Sequence, residues 1–295
     1  MEAVIDGTSL TRYRDAVVSI DIGGTSIVLE KGIAIRPIDD EELWELGSGT
    51  VPTPPFSLQL SPTENWCILD IELRHHAAQI ATTLYAMREA VVANLAMAVE
   101  GGFILLPIGM TAKFGPNAIG TSIHGSRMPR EFGQFPGMAT VVVDVCAQRQ
   151  LKEMWPRVKK IMQSPSHYLS LPLRRLVDGL GRTRFDDKIV DYAIGLEALL
   201  TSSERDELSY RLALRGATVL EEGGADKHQA FQDLRDFYNA RSTIVHGGSV
   251  SKLDLRALAD SGERLLRKIW NWYLTQGLTL RGANARIDRR ILASE

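Results

Sequence analysis

An arginine and a histidine stand five positions apart in RDFYNARSTIVHGG, at Arg241 and His246. Histidine changes its charge near neutral pH and can therefore take up or release a proton during a reaction. Arginine keeps its positive charge and presents a planar fork of donors that matches the oxygens of a phosphate. The pair indicates proton transfer at a phosphate group, although a chain with six histidines also produces this spacing by chance.

The spacing restricts how the two side chains can meet. Successive residues of an α-helix turn by about 100°, so Arg241 and His246 point about 140° apart on an ideal helix. The glycine pair Gly247-Gly248 suggests one route, in which the helix ends or loosens at the histidine. In a second route, the arginine of one subunit approaches the histidine of another. The sequence leaves both routes open.

Both residues also have structural interpretations. Arg241 could pair with Asp236 or Glu197 and so tie two helices together. His246 could cap the C-terminus of its helix, where a cationic side chain is favoured. The catalytic and the structural interpretations both stay open at this point.

Six further residues are candidates for supporting roles, and one of them, Ser242, directly follows the arginine. Glu197 lies in the apolar stripe of LEALL, where a carboxylate is costly to bury unless a cation pairs with it. Arg211 or Arg215 is the expected partner, and we predict structural or supporting roles for these residues, with substrate contact as the alternative. Tyr238 and the adjacent Asn239 either line the cleft or pack against the core.

The segments that carry these residues read as helices. From position 148 onward apolar residues recur at helical spacing, as at Ile189, Ala193, Leu196 and Leu200. Alternating strand patterns disappear in this half of the chain. We therefore predict an all-α helical bundle over residues 146–295, with helices at 149–163, 167–179, 186–202, 206–222, 227–246 and 253–276.

The first half of the chain has mixed character. A long apolar segment predicts a helix over 75–99, which begins at His75-His76 and ends before Gly101. No third ligand accompanies the two histidines, so they predict no metal site. We expect an α+β domain over residues 1–145, with strands at 66–73, 103–110 and 139–145.

The distribution of charge supports the same boundary. Residues 1–145 hold 9 Lys and Arg against 17 Asp and Glu, a net −8, whereas residues 146–295 hold 25 against 19, a net +6. A basic half within an acidic chain is typical of a domain that binds RNA or phosphate, although solvated helix surfaces also carry such an excess.

A second motif, DIGGTS at residues 21–26, resembles the phosphate-binding hairpin of actin-like sugar kinases. Its glycines and hydroxyl groups would let a phosphate approach closely. The duplicated half, second phosphate loop and catalytic aspartate of such a kinase are not found in the sequence. We therefore interpret the motif as a tight turn between paired strands at 17–22 and 26–30, and we expect no cofactor.

The composition is that of a globular protein, with 295 residues of which 44% are hydrophobic and 24% charged. No apolar run reaches the roughly 18 residues of a membrane span, and the first residues lack the pattern of a signal peptide. We expect a cytoplasmic protein with no membrane partner. Cys67 and Cys146 do not have the spacing of a zinc site or a disulfide framework, and we expect both as buried thiols.

The segment IVDYAIGLEALLTSSERDELSYRLALRGATVL, followed by LRDFYNARSTIVHGG, resembles the Apea-like branch of the HEPN superfamily. In that branch LEALL, and then YRL with a second Arg four residues on, precede a Y-x-x-RS-x-x-VHG element. The resemblance covers residues 184–250, extends by helix number to 150–276, and has an N-terminal echo in IAIRPIDDEELWEL. It departs from many active members, which carry Asn, Asp or His at the position of Ser242.

The resemblance implies a helical bundle that forms a homodimer, in which two Arg241/His246 motifs face one composite cleft. In active members that cleft is a metal-independent endoribonuclease. The histidine would take the proton of a 2′-hydroxyl or protonate the leaving oxygen, and the arginine would stabilise the charge on the phosphate. RNA would be the partner, and the products would be a 2′,3′-cyclic phosphate and a 5′-hydroxyl.

For the whole chain we expect a ribonuclease of antiviral defence or of a toxin-like response. Residues 1–145 would then sense an unidentified trigger or hold the nuclease inactive. The alternative is a non-catalytic module, in which the bundle dimerises or binds a nucleotide or a protein and the Arg/His pair is structural.

Overall fold

The structure is a computed structural model in which the chain forms two compact units, Met1–Gln163 and Ser164–Glu295. We call them the N-terminal unit and the C-terminal unit and describe each by itself. The structure describes residues 8–18, 20–40, 42, 66–76, 80–99, 103–113, 121–123, 130–132, 141–201, 207–249, 251 and 253–293.

The N-terminal unit contains an antiparallel sheet centred on strand β1 (Thr8–Val18), which pairs with β5 (Trp66–His76) and β6 (Phe103–Lys113). The remaining strands are β2 (Ile20–Asp21), β3 (Ile27–Glu30), β4 (Ile33–Pro37), β7 (Thr121–Ile123), β8 (Arg130–Phe132) and β9 (Val141–Val142). The strand order in the main sheet is β3-β4-β5-β1-β6-β7, and β8 also pairs with β6. A second, two-stranded sheet joins β2 and β9 in parallel.

Two helices complete this unit, α1 (Ile80–Ala98) and α2 (Val145–Met162). The carboxylate of Asp144 accepts a hydrogen bond from the amide of Ala147 at 2.8 Å and so starts α2. The two helices pack against each other. The apolar stripe of α2 is buried at Leu151, Met154, Trp155, Val158, Ile161 and Met162.

The division between the two units lies after α2, at 163/164, which is one helix beyond the predicted boundary at 145/146. The residues of α2 have helical periodicity, which assigned them to the second half, but their apolar face packs on α1. Residues 1–163 hold 14 Lys and Arg against 18 Asp and Glu, and residues 164–295 hold 20 against 18. The two net charges are thus −4 and +2, so most of the basic excess that predicted a phosphate-binding C-terminal half belongs to α2.

Several predicted elements of the N-terminal unit need correction. His75 and His76 end strand β5 instead of opening a helix, and α1 begins at Ile80. The strand predicted at 139–145 is limited to Val141–Val142 among the described residues, because the capping carboxylate at position 144 starts a helix, and residues 139 and 140 lie outside the described part.

The turn in DIGGTS does not join two paired strands, so the predicted hairpin was wrong. Strand β2 pairs with β9, and β3 pairs with β4 across a turn at Lys31-Gly32. Gly23 and Gly24 have φ angles of +64° and +73°, which explains the choice of glycine. The carboxylate of Asp21 accepts a hydrogen bond from the amide of Gly23 at 2.8 Å, as in a local turn.

The C-terminal unit is helical in its described residues, as the sequence predicted. Large side chains fill its core, among them Tyr192, Phe237, Trp270 and Tyr273. Gly262 lies where a Cβ atom would collide with the ring of Phe237, so the absent side chain lets two helices approach. The helices are α3 (Ser170–Leu180), α4 (Phe185–Leu200), α5 (Leu208–Glu222), α6 (Lys227–Val245), α7 (Leu255–Gln276) and α8 (Leu280–Ala293).

Helix α8 was not predicted, because its sequence reads as a basic tail. Arg290 and Arg286 contact the carboxylate of Glu222 on α5, at 2.5 and 3.3 Å. These ion pairs and the buried Ala283 and Ile287 hold the helix on the bundle. None of the described helices has the length and apolar character needed to cross a membrane.

A buried ion pair links the sheet of the N-terminal unit to α1. The carboxylate of Asp15 on β1 lies 2.5 Å from Nε of Arg88, and both side chains are almost fully buried. The hydroxyl of Tyr13 donates a second hydrogen bond to Asp15 at 2.6 Å. Removing one partner of such a pair leaves the other charge buried without compensation.

Replacing Arg88 with methionine, which keeps the apolar stem and removes the cation, should lower the free energy of unfolding by about 3–5 kcal/mol. Hydrogen exchange of the amides of β1 and β5 measures this loss. The control is Arg149→Met, which removes an exposed arginine of α2 and should change stability by less than about 0.5 kcal/mol. Equal protection in the two variants would contradict a stabilising role of the pair.

Candidate functional site

The end of helix α6 fixes the backbone of His246. The amide of Gly248 donates to the carbonyl of Thr243 at 2.8 Å, and the amide of Gly247 donates to the carbonyl of Ile244 at 3.2 Å. This is a Schellman motif, and Gly247 has the left-handed φ of +69° that the motif requires. The helix stop predicted from the glycine pair is confirmed.

His246 is exposed at this helix end and lines a groove together with Asn239, Ser242, Thr243 and Gly248. Residues 239, 242 and 246 are separated by three and four positions, so their side chains lie on one face of the helix. The structure therefore brings two of the predicted supporting residues, Asn239 and Ser242, together with the histidine.

The imidazole of His246 does not serve as the helix cap. The carbonyls of Ser242, Thr243 and Ile244 already accept hydrogen bonds from backbone amides of the turn. No hydrogen bond joins the ring to another of the described residues. His246 is the C-cap residue of α6, as the structural interpretation expected, but its backbone amide makes the hydrogen bonds of the cap. The exposed ring is therefore available to a bound molecule.

Arg241 lies on a different face of α6 and does not line the groove of His246. Its Nη2 atom is 3.4 Å from Oε1 of Glu197 on α4. The same carboxylate oxygen accepts a hydrogen bond from the hydroxyl of Tyr238 at 2.8 Å, and the guanidinium lies 5.6 Å from the centre of the tyrosine ring. We call these three residues the seam cluster.

The seam cluster leaves part of the guanidinium unused. One nitrogen of Arg241 meets Glu197, and Nε is buried without a hydrogen-bond partner among the described residues. The side chain is still 22% exposed. A guanidinium with donors to spare can bind an additional anion, because its fork presents five N–H groups.

The predicted pairing of Glu197 with Arg215 was wrong. That arginine donates instead to Asp288 on α8, at 2.7 Å to both oxygens, and to the carbonyl of Leu200 at 2.9 Å. The sequence could not indicate this contact, because α8 itself was not predicted. Arg211 is half-buried on α5, one turn before Arg215, and the alternative pairing of Arg241 with Glu197 is the one that occurs.

Two predicted thiols have different environments. Cys67 is fully buried in β5, and this burial raises the pKa of its thiol. Cys146 is exposed in the first turn of α2, so the prediction of a buried thiol was wrong there. The described part of the chain contains no group of three or more His, Cys, Asp or Glu side chains placed to hold a metal ion.

Sequence reasoning missed a second groove beside the first. It is lined by Glu207, Leu208, Ser209, Tyr210, Arg235 and Asn239. Asn239 belongs to both grooves. The spacing of Arg235 from Asn239 and His246, four and eleven positions, is a helical signal that the sequence does contain.

Comparison with protein-family models, with curated proteins and with solved structures finds no match to this chain.

The seam cluster predicts how stability depends on alkaline pH. Burial and the hydrogen bond to Glu197 raise the pKa of Tyr238 to about 12, above the value near 10 of an unfolded tyrosine. Since the folded-state pKa is the higher one, its contribution is complete below about pH 10 and is lost as the pH approaches 12. Denaturant unfolding of wild type and Tyr238→Phe should therefore converge over this window. A stability difference that stays constant with pH would contradict the argument.

Proposed function

We propose that the C-terminal unit is a HEPN-like bundle of the Apea-like branch and acts as a metal-independent endoribonuclease. The observation that carries the proposal is the imidazole of His246, which is exposed and has no hydrogen-bond partner among the described residues, at a helix end that a Schellman motif fixes. Arg241, five residues earlier, keeps donors free for a phosphate. The order of sequence motifs around these residues supports the same assignment.

The proposed reaction needs only a proton carrier and a fixed cation. His246 takes the proton of a 2′-hydroxyl, whose oxygen attacks the adjacent phosphorus, and the bond from phosphorus to the 5′-oxygen breaks. The departing 5′-oxygen receives a proton from the imidazolium that His246 has become, which returns the histidine to its neutral form. Arg241 stabilises the negative charge that builds up on the phosphate oxygens. The products are a 2′,3′-cyclic phosphate and a 5′-hydroxyl.

The two catalytic residues face different sides of α6, which favours a cleft shared by two copies of the chain. In such a homodimer the arginine of one protomer meets the histidine of its partner.

The seam cluster favours a second candidate function. In that alternative Arg241 is structural, because its ion pair with Glu197 ties α4 to α6, and the bundle is a non-catalytic dimerisation or binding module. The conservative variant Arg241→Lys separates the two cases. It keeps a cation beside Glu197 but loses the planar fork that matches a phosphate.

Incubation of unstructured RNA with the full chain in EDTA should give fragments that end in 2′,3′-cyclic phosphates. His246→Ala should lower the rate at least about a hundredfold, the usual size of a general acid–base contribution. The control is His228→Ala, which removes an exposed histidine from the first turn of the same helix. Arg241→Lys should keep the melting temperature and lose activity. Full activity in this variant would exclude the arginine fork from the reaction, and the absence of cleavage by wild type would support the non-catalytic alternative.

A mixing experiment tests the shared cleft. His246→Ala and Arg241→Lys are each nearly inactive, but a mixed dimer contains one intact pair, made of the arginine of one protomer and the histidine of the other, and a second pair in which both residues are substituted. Random exchange should therefore restore about a quarter of the wild-type activity. If activity stays at the level of the separate variants after exchange, each protomer works alone and the shared cleft is wrong.

A further inference from the structure

One face of helix α6 continues from the groove of His246 toward the start of the helix. Arg235, Asn239, Ser242 and His246 are separated by four, three and four positions. Eleven residues at about 100° each return to within about 20° of the starting direction, so Arg235 shares the face of the histidine. At a rise of 1.5 Å per residue, the first and last of the four lie about 16 Å apart along the helix.

The second groove lies along the first part of this face. Its residues include Tyr210, Ser209 and Glu207 from the start of α5, together with Arg235 and Asn239. Since Asn239 also lines the groove of His246, the two grooves form one continuous surface. We call this surface the α6 track.

Tyr210 has the properties of a stacking platform. Its ring is 51% exposed, and it makes an edge contact with Phe231 at 5.5 Å between ring centres and an angle of 72°. That contact holds the ring in place from one side. An exposed aromatic face of this kind binds an unpaired nucleic-acid base regardless of sequence.

Polar groups along the α6 track complement a nucleotide chain. The hydroxyl of Ser209 donates to Oδ1 of Asn239 at 3.3 Å, which leaves the amide nitrogen of Asn239 as a donor. Arg235 is exposed and offers a fork for a phosphate. Glu207, near Tyr210, repels phosphate and accepts hydrogen bonds from base amino groups, so a base is favoured there.

The backbone at Glu207 is strained. Its φ is +53°, and it is the one non-glycine residue with a positive φ among the described residues. A side chain in the left-handed region costs about 1–2 kcal/mol, and such strain is concentrated at binding and catalytic sites. Glycine would adopt this backbone conformation without strain, but the residue at this position carries a carboxylate and lines the groove.

We propose that the α6 track binds the single strand of RNA that flanks the cleaved bond, with Arg235 on a backbone phosphate and Tyr210 stacked on a base. This inference rests on the proposed function, because it takes His246 as the position of the reacting phosphate. A stacked strand rises about 3.4 Å per nucleotide, so the track spans about five nucleotides at most. Stacking on Tyr210 needs an unpaired base, which makes a duplex the wrong substrate.

The test uses the full chain and a fluorescent 2′-O-methyl RNA of random sequence, which cannot be cleaved because its 2′-oxygen carries no proton. Tyr210→Ala should weaken binding at least about fivefold, and Tyr210→Phe should keep wild-type affinity. Arg235→Gln should weaken binding and reduce the slope of log affinity against log salt by about 0.7. Arg264→Gln, which removes an exposed arginine of α7, is the matched control and should change neither quantity.

Cleavage of unmodified RNA by the same proteins separates this inference from the proposed function. If wild type cleaves RNA while Tyr210→Ala and Arg235→Gln bind and cleave as well as Arg264→Gln, the track is wrong and the ribonuclease stands. If binding depends on Tyr210 and Arg235 but no cleavage occurs, the track stands and the ribonuclease is wrong. Absence of any RNA binding, or equal binding of a duplex, overturns the track.

Discussion

Glu197 sets the arrangement of the candidate site. A carboxylate in the seam between α4 and α6 is stable only with donors around it, and the hydroxyl of Tyr238 and the guanidinium of Arg241 supply them. This requirement turns Arg241 away from the groove of His246. It also fixes which residues of α6 remain free to meet a ligand, so the electrostatic demand of one side chain divides the helix into a structural side and an exposed polar side.

The two sides of α6 have different tolerance for change. In the seam cluster, each side chain contacts a partner on the other helix, and replacing Glu197 or Arg241 leaves the charge of the other residue half-buried without its partner. On the α6 track, Tyr210, Arg235, Asn239 and His246 are exposed. The capped turn at Gly247-Gly248 ends α6 and holds the backbone of His246 in a fixed position.

Helices of the C-terminal unit were predictable because their signals are local. The period of Ile189, Ala193 and Leu196 marks α4, and the glycine pair after His246 marks the end of α6. The turn at Gly23-Gly24 was also local, but the pairing of β2 with β9 joins residues more than a hundred positions apart, and nothing in the sequence of either strand specifies it.

The same distinction explains the errors at the site. The seam pairing of Arg241 was among the alternatives, since Glu197 is an isolated acid in an apolar stripe. The partner of Arg215 was missed because Asp288 lies in a segment with too many charges to read as a packed helix. The α6 track was missed for another reason: Arg235 and Tyr210 become neighbours of one groove only after α5 and α6 fold together.

Helix α2 determines where the chain can be divided for study. A fragment that starts at residue 146 would lose the capping carboxylate of Asp144 and would carry α2 without α1, leaving Leu151, Trp155 and Val158 uncovered. Such a fragment would tend to aggregate, and its five basic side chains would adsorb RNA nonspecifically. A fragment that begins at Ser164 removes this source of false RNA affinity and keeps every residue of the candidate site.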